Sequence, residues 1–331
     1  MVADSHKLYD IAIVGAGSAG VMASHIIFNS CSKLSVALLE KEKRPLRKFK
    51  IAGKGRCNLT NNISPDLFLS VLGKKSKFLH SSFSRFNNRN LIYFFNKLGI
   101  ETKVERGNRV FPVSDSAMSM AISFFDVLLK KYPIDFINNF KVKNIIKNGE
   151  SFEIKSNDST IFARKLLITT GGITYPLTGS DGSIFPILKR LGHNIVELRH
   201  ALCGMKSFTE DINKLAGLAL KNCMISIYSE NKKVYGELGE LLFTGSGVSG
   251  PIILKLSRLH RELFYKNGKA KGNVEISIDL KPALDLKKLE NRFLREIEKS
   301  PTKIIGNVIG SFGPNSLIEV ISNRISINRE V

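Results

Sequence analysis

Tryptophan is absent from this chain, cysteine is rare, and acidic side chains are outnumbered by basic ones. Each lack narrows the reading. The four cysteines, Cys31, Cys57, Cys203 and Cys223, have no paired spacing, so neither a cysteine-based zinc site nor a dithiol redox motif is expected. Reduced thiols in a cytosol follow, and no metal site. Long apolar runs are also missing. The first ten residues are polar, and the apolar stretch after them is broken by Gly15, Gly17, Ser18 and Gly20. That pattern fits neither a signal peptide nor a membrane span, so a cytoplasmic protein with no membrane partner is expected. The shortage of acid, 29 Asp and Glu against 50 Lys and Arg, gives a net charge of +21. A charge of that size raises the question of a nucleic-acid partner. The lysines are nevertheless scattered, with no long basic run, no zinc-finger spacing and no interleaving of basic and aromatic residues of the RNA-recognition type. The chain is rich in Asn and Ile. A solvated, compositionally biased surface is favoured over a nucleic-acid site, which is kept as the alternative.

What is present reads as an α/β protein long enough for two domains. Tyr9 to Val14 is an apolar run ending at glycines, Val21 to Phe28 has helical character, and Leu34 to Leu39 is a second apolar run ending in Glu40. Together they make one strand–helix–strand unit of a parallel sheet. A mostly helical excursion is expected over about 62–131, with Leu91, Phe94, Phe95 and Leu98 at helical spacing and Gly99 as a stop. Phe152 to Ile154 and Ile161 to Phe162 read as paired strands, leading into a buried strand at Lys165 to Thr169. After residue 198 the character changes. Met224 to Tyr228, and Val274, Ile276, Ile278 and Leu280 at alternate positions, suggest antiparallel strands with one buried face. Asp285 to Lys299 reads as an amphipathic helix, and the tail as one or two short helices.

The first unit carries a dinucleotide fingerprint. Gly15 permits a tight turn after the strand, Gly17 lets backbone approach a pyrophosphate, and Gly20 lets the helix pack near the strand. The N-terminus of the helix that follows supplies unpaired N–H groups and a dipole that favour an anion. Glu40 follows Gly20 by twenty residues, where a carboxylate accepts from ribose hydroxyls. A second glycine string, Gly245 to Gly250, is a poorer candidate. Pro251 follows at once, no acid stands at the expected distance, and Glu237 to Phe243 do not read as a buried parallel strand, so it is read as a tight loop starting a helix with Pro251 in its first turn.

Farther on, Ile51-Ala52-Gly53-Lys54-Gly55-Arg56-Cys57-Asn58-Leu59-Thr60-Asn61 is more specific. It resembles the signature of the aminoacetone-oxidase-like family of FAD-dependent flavoproteins, also described as predicted NAD(P)/FAD-dependent oxidoreductases. In order come Arg109-Val110-Phe111-Pro112-Val113-Ser114, Thr169-Thr170-Gly171-Gly172, Tyr175-Pro176, Thr178-Gly179-Ser180, Gly192-His193, and Gly239 to Thr244 with Ser249-Gly250-Pro251, all similar to that family's landmarks. The resemblance departs at Lys54 and Ile184, where the family has glycines, and at Gly245-Ser246, where it has a His-Phe pair.

The resemblance implies a two-dinucleotide-binding-domain flavoprotein: a Rossmann-like FAD domain over 1–198 and an inserted β-rich domain with a helical C-terminal part over 199–331. The family closes with a glycine-rich segment that caps the flavin, and the chain is expected to lack it. FAD is the implied cofactor, held by Gly15, Gly17, Ser18, Ala19, Gly20, Glu40 and Lys41, by Gly53, Gly55, Arg56, Cys57, Asn58 and Thr60, and by Gly171 and Gly172. Cys57 has no second cysteine nearby, so dithiol exchange is not expected. His193 is read as structural, Arg109 as a partner either of an anionic substrate or of a buried carboxylate, and no catalytic residue is assigned. The implied activity is hydride transfer between the flavin and a small organic substrate, of the amine or conjugated-ketone class. The alternatives are a truncated, non-catalytic remnant and an RNA-associated flavoprotein.

Overall fold

Alternation along two strands sets up the first unit. In β1 (Leu8–Val14), Ile13 turns to one side of the sheet while Ala12 and Val14 turn to the other; in β2 (Val36–Leu39), Val36 and Leu38 share the side of Ile13, and Ala37 and Leu39 the opposite one. All four β2 residues are buried, as a strand covered on both faces requires. The computed structural model describes residues 7–266, 269–270, 274–299 and 308–324. Part of the polar start (1–6) and the end of the tail (325–331) therefore lie outside the described residues. The chain divides into two units at residues 196 and 197.

In the first unit six strands are ordered β6-β2-β1-β9-β8-β7, with β6 at Ile134–Ile137, β7 at Asn144–Asn148, β8 at Ser151–Lys155 and β9 at Thr160–Ile168. β6, β2, β1 and β9 are parallel and end together, with Leu39 opposite both Val14 and Ile137, and Ile168 opposite Val14. Helices α1 (Ser18–Ser30) and α5 (Ala117–Lys131) belong to the core that holds Ile13 and Leu38, through Phe28, Met120, Phe124 and Leu128, and Ile187 of α6 (Phe185–Arg190) to the one that holds Val14 and Leu39. Phe124 is 1% exposed, so its truncation to Ala costs about 3–5 kcal/mol. Ser116 caps α5 by accepting from the Ser119 N–H, and Lys130 and Lys131 suit its C-terminal dipole.

Between β2 and α5 the helical expectation holds for α2 (Pro65–Val71), α3 (His80–Arg85) and α4 (Asn88–Lys97). A reciprocal Asn87–Asn90 capping box starts α4, and Gly99 follows its end at φ +76°. The excursion is not wholly helical, however. β3 (Thr60–Asn61), β4 (Thr102–Glu105) and β5 (Arg109–Pro112) form an antiparallel sheet ordered β3-β5-β4. The expectation of a buried strand at Lys165 to Thr169 is also corrected. That stretch is the second half of β9, and beyond Ala163 it has only β1 beside it, because β8 pairs only with Thr160 to Ala163. Leu167 is accordingly 37% exposed.

The second unit is built on an antiparallel sheet ordered β10-β13-β12-β11-β16, from β10 (Met205–Lys206), β11 (Ala219–Ser229), β12 (Lys232–Thr244), β13 (Gly247–Ser249) and β16 (Val274–Asp279). A short helix, α8 (Arg261–Phe264), and a β14–β15 ribbon (Tyr265–Lys266 with Lys269–Ala270) lie between α7 (Pro251–Leu259) and β16. One face of the sheet, with Ile225, Ile227, Leu241 and Phe243, packs with Ile252, Ile253 and Leu256 of α7 and with Leu317 and Val320 of the helix Asn315–Arg324. Pro251 opens α7 as expected, but the glycine string before it is a strand, β13, and not only a loop. Asp285 accepts from the Lys288 N–H and so caps α9 (Leu286–Lys299).

Candidate functional site

The parallel strands deliver three loops to one place. β2 and β9 flank β1 on opposite sides, so the chain leaves β1 at the point where the connections diverge, the usual position of a ligand crevice in an open α/β sheet. There a cleft of about 480 Å³ is lined by Val14 to Ala19 after β1, by Leu39, Glu40 and Lys41 after β2, and by Ile168 to Gly171 after β9.

Two of the three fingerprint glycines are dictated by the protein's own packing. Gly15 has φ +104°, and a Cβ on it would lie 2.8 Å from the Thr169 carbonyl oxygen. A Cβ on Gly20 would lie 2.0 Å from the Gly15 carbonyl oxygen and 2.8 Å from Thr169 Oγ1. Gly17 differs. It lines the cleft, and a Cβ there would meet nothing within 4 Å. The fold itself does not need a glycine at that position, whereas a ligand pressed against the backbone does. Gly17 is also the N-cap of α1, with no capping side chain and no acid in the first turn, so the first-turn N–H groups are left to an outside acceptor.

Glu40 stands opposite. Its Oε2 accepts from the Ala16 N–H at 2.8 Å and its Oε1 from the Glu42 N–H at 2.9 Å, which fixes the carboxylate and leaves each oxygen a further lone pair. Arg44, Lys48 and Lys141 also line the cleft and have no carboxylate partner among the described residues. Lys41 pairs with Asp181 at 2.8 Å and Arg47 with Glu42 at 2.5 Å. Burial works to raise the Asp181 carboxyl, but hydrogen bonds from Lys41 and Ser183 outweigh it and hold the group well below the usual carboxylate range. Backbone donors, a fixed carboxylate and free cations are the donor set that a pyrophosphate joined to a ribose diol requires, so the residues present fit an adenine dinucleotide.

Of the residues singled out in the sequence, Gly15, Gly17, Ser18, Ala19, Glu40, Lys41 and Gly171 line this cleft, and Gly20 sits behind it in the β1–α1 packing. Gly53, Gly55, Arg56, Cys57, Asn58, Thr60 and Gly172 do not line it. Arg56 is committed elsewhere. Its guanidinium bonds Glu105 and Asp115 and lies 4.3 Å from the Phe111 ring centre, so it pins its loop to β4 and β5. These bonds raise its pKa further, Glu105 first and Asp115 second. Cys57 is 1% exposed, and burial pushes its thiol up to about 11. Gly53 is needed locally, since at φ +58° a Cβ would fall 2.5 Å from the Asn58 nitrogen. Thr60 pairs with Val110 in the small sheet. Arg109 is exposed and has no carboxylate partner among the described residues; its Nε donates to the Arg106 carbonyl, so the buried-carboxylate alternative is not met.

Sequence reasoning met Thr169 only as part of the Thr169–Gly172 landmark, with no role of its own, and did not single out Asp181 or the unpaired cations. Thr169 precedes Gly171 by two residues, and its hydroxyl donates towards the Gly15 and Val14 carbonyls at 2.8 and 3.0 Å. The crowding of basic residues from Lys41 to Lys50 was a visible signal for Arg44 and Lys48; Asp181 and Lys141 had none. Among the described residues no cluster of His, Cys, Asp and Glu could hold a metal ion, and no helix is long and apolar enough to cross a membrane.

The chain resembles the ribosomal RNA dihydrouridine synthase of Escherichia coli (strain K12), with 30% identity over 316 residues, 94% of this chain and 72% of the relative. It also resembles the 3-dehydro-bile acid delta(4,6)-reductase of Clostridium scindens, with 24% identity over 308 residues, 93% of this chain and 73% of that enzyme. A solved 3-ketosteroid-delta4-(5alpha)-dehydrogenase of Rhodococcus jostii RHA1 is 14% identical, with a TM-score of 0.46, over 79% of this chain and 66% of that one. The family model described as the HI0933-like protein Rossmann domain matches residues 9–323. Matched over nearly its whole length, the chain belongs to the HI0933-like family, with a Rossmann-like FAD-binding fold and an additional β-sheet unit.

Proposed function

We propose that this protein binds FAD in the cleft at the ends of β1, β2 and β9 and reduces a carbon–carbon double bond conjugated with a carbonyl group. The observation that carries the cofactor assignment is Gly17, a glycine that lines the cleft at the N-terminus of α1 and that the fold does not require. The reaction class is supported by what the two relatives' names have in common. Forming dihydrouridine adds two hydrogens across a uracil double bond conjugated with a carbonyl, and a delta(4,6)-reductase acting on a 3-dehydro substrate adds them to a dienone. The bond type is common to both, while the scaffolds around it are not. Similarity to aminoacetone-oxidase-like flavoproteins supports the same cofactor.

When bound, FAD supplies a two-electron hydride donor and acceptor. The chain's own residues do the rest. The N–H groups of Gly17, Ser18 and Ala19 take the pyrophosphate, with Arg44 and Lys48 balancing its charge. Glu40, already oriented by the Ala16 and Glu42 N–H groups, accepts from the ribose hydroxyls. The stretch from Gly53 to Thr60 is braced by Arg56 on Glu105 and Asp115.

The test is a titration of the purified chain with FAD, followed by anaerobic reduction with dithionite and mixing with a simple cyclic enone or a uridine-containing oligonucleotide. Bound flavin bands that depend on Gly17 and Glu40, then reoxidation by one of the two acceptors, are expected. No flavin bands would overturn the cofactor assignment; bound flavin that neither acceptor reoxidises would overturn the reaction class.

A further inference from the structure

We propose that the helical lobe at residues 65–97 is a docking surface for single-stranded RNA. Its charge is one-sided. From residue 65 to residue 97 the sequence holds Lys74, Lys75, Lys77, Arg85, Arg89 and Lys97 against a single acid, Asp66, in the first turn of α2. In a chain with a net charge of +21, this is a stretch where one acid stands against six basic residues. Lys77, Arg85, Arg89 and Lys97 are exposed and have no carboxylate partner among the described residues.

The aromatic residues of the lobe are divided between two tasks. Phe94 and Phe95 are buried and belong to the core around Phe124, while Phe68 and Phe83 stack on each other at 5.1 Å. Asn88 fastens the lobe to the small sheet by donating to the Asn61 and Ile63 carbonyls. These contacts hold the lobe in place without Tyr93 and Phe78, which are 60% and 89% exposed. Tyr93 lies on the outer stripe of α4 with Arg89 four residues before it and Lys97 four residues after, and the Lys97 ammonium already sits 5.0 Å from its ring centre. An aromatic face set between two cations is the arrangement that holds a stacked base with phosphates on either side.

This goes beyond the reduction of a conjugated bond and does not depend on it, because the surface is not part of the FAD cleft. The test is fluorescence polarisation of the full chain with a fluorescein-labelled, unstructured twelve-nucleotide RNA at 50 and 200 mM salt. Binding that weakens as salt rises is expected. R89A/K97A should flatten the salt dependence by about 0.7 in log–log slope for each phosphate contact removed. Y93A and F78A should each weaken binding by about tenfold while leaving the slope in place. The control K147A/K189A removes two exposed cations elsewhere in the same unit and should match wild type. Three results would overturn the proposal: no binding at 50 mM salt, equal losses in the lobe and control variants, or lobe-dependent binding to phosphatidylglycerol vesicles in place of RNA. FAD titration of the same variants should match wild type, so that a failure of flavin binding is read apart from a failure of RNA binding.

Discussion

The Thr169 hydroxyl donates to the Gly15 carbonyl oxygen at 2.8 Å, tying the end of β9 to the turn that follows β1. The hydroxyl also stands 2.8 Å from where a Cβ of Gly20 would be. One side chain therefore sets the spacing of β1, α1 and β9 beneath the cleft. Thr169→Val removes the donor and keeps the shape. Chemical denaturation should show a loss of about 1 kcal/mol, and FAD affinity should fall because the glycine turn is no longer clamped.

Gly17 and Gly20 should separate cofactor binding from folding. Gly20→Ala places a methyl against backbone and should cost about 1–3 kcal/mol or more in urea denaturation. Gly17→Ala should stay within about 1 kcal/mol of wild type yet lose FAD, read by flavin fluorescence quenching. Equal FAD affinity in Gly17→Ala and wild type would remove the chief support for the cofactor assignment.

Glu40→Ala leaves the Ala16 and Glu42 N–H groups without their acceptor. A stability loss of about 1 kcal/mol is expected, with FAD binding weakened at least about tenfold as the ribose hydroxyls lose theirs. Glu40→Gln keeps one acceptor oxygen and should fall between.

His25 gives the protein a pH dependence. It is fully buried, stacked on Phe124 at 5.1 Å, with its Nε2–H donating to the Phe124 carbonyl and Nδ1 without a partner among the described residues. Burial lowers its pKa, opposed by the hydrogen bond to Phe124 and helped by Lys131. The folded state thus holds the proton less tightly than the unfolded chain. Stability from this group is full above the unfolded value of 6.5 and falls as pH drops through it towards the folded value, at no more than about 1.4 kcal/mol per pH unit. Melting temperature between pH 8 and pH 5 should show this slope, and His25→Phe should reduce it.

Thiol accessibility gives a further check. At pH 8, iodoacetamide should modify exposed Cys31 quickly and spare Cys57, whose thiol is buried and raised to about 11. Peptide mapping reads both positions, and rapid labelling of Cys57 in the native protein would contradict the packing around β3 to β5.

Local rules made part of the site legible. Gly15, Gly20 and Glu40 follow from what one strand–helix–strand unit demands of its own backbone, and Gly99, Pro251 and Asp285 mark helix ends by chemistry that neighbouring residues complete. Other features depend on distant partners. β3 pairs with β5 across more than forty residues, and its two residues carry no alternation to read. Asp181 and Lys141 reach the cleft only because β6 and β9 end together at its rim. Arg164 and Lys165 interrupt the apolar pattern of β9, which made one strand look like two. The Arg89–Tyr93–Lys97 stripe was hidden because its members are four residues apart, adjacent on a helix but not in a line of text.

The second half of β9 has a consequence of its own. From Arg164 to Ile168 the strand has β1 on one side and, among the described residues, no partner strand on the other, so a short row of backbone donors and acceptors is left unpaired there. Such a row can template a strand from another molecule. Arg164 and Lys165 stand at the start of it, both exposed, and like charges on two approaching copies would repel. The two residues that broke the apolar pattern thus set positive charge at the start of the open edge.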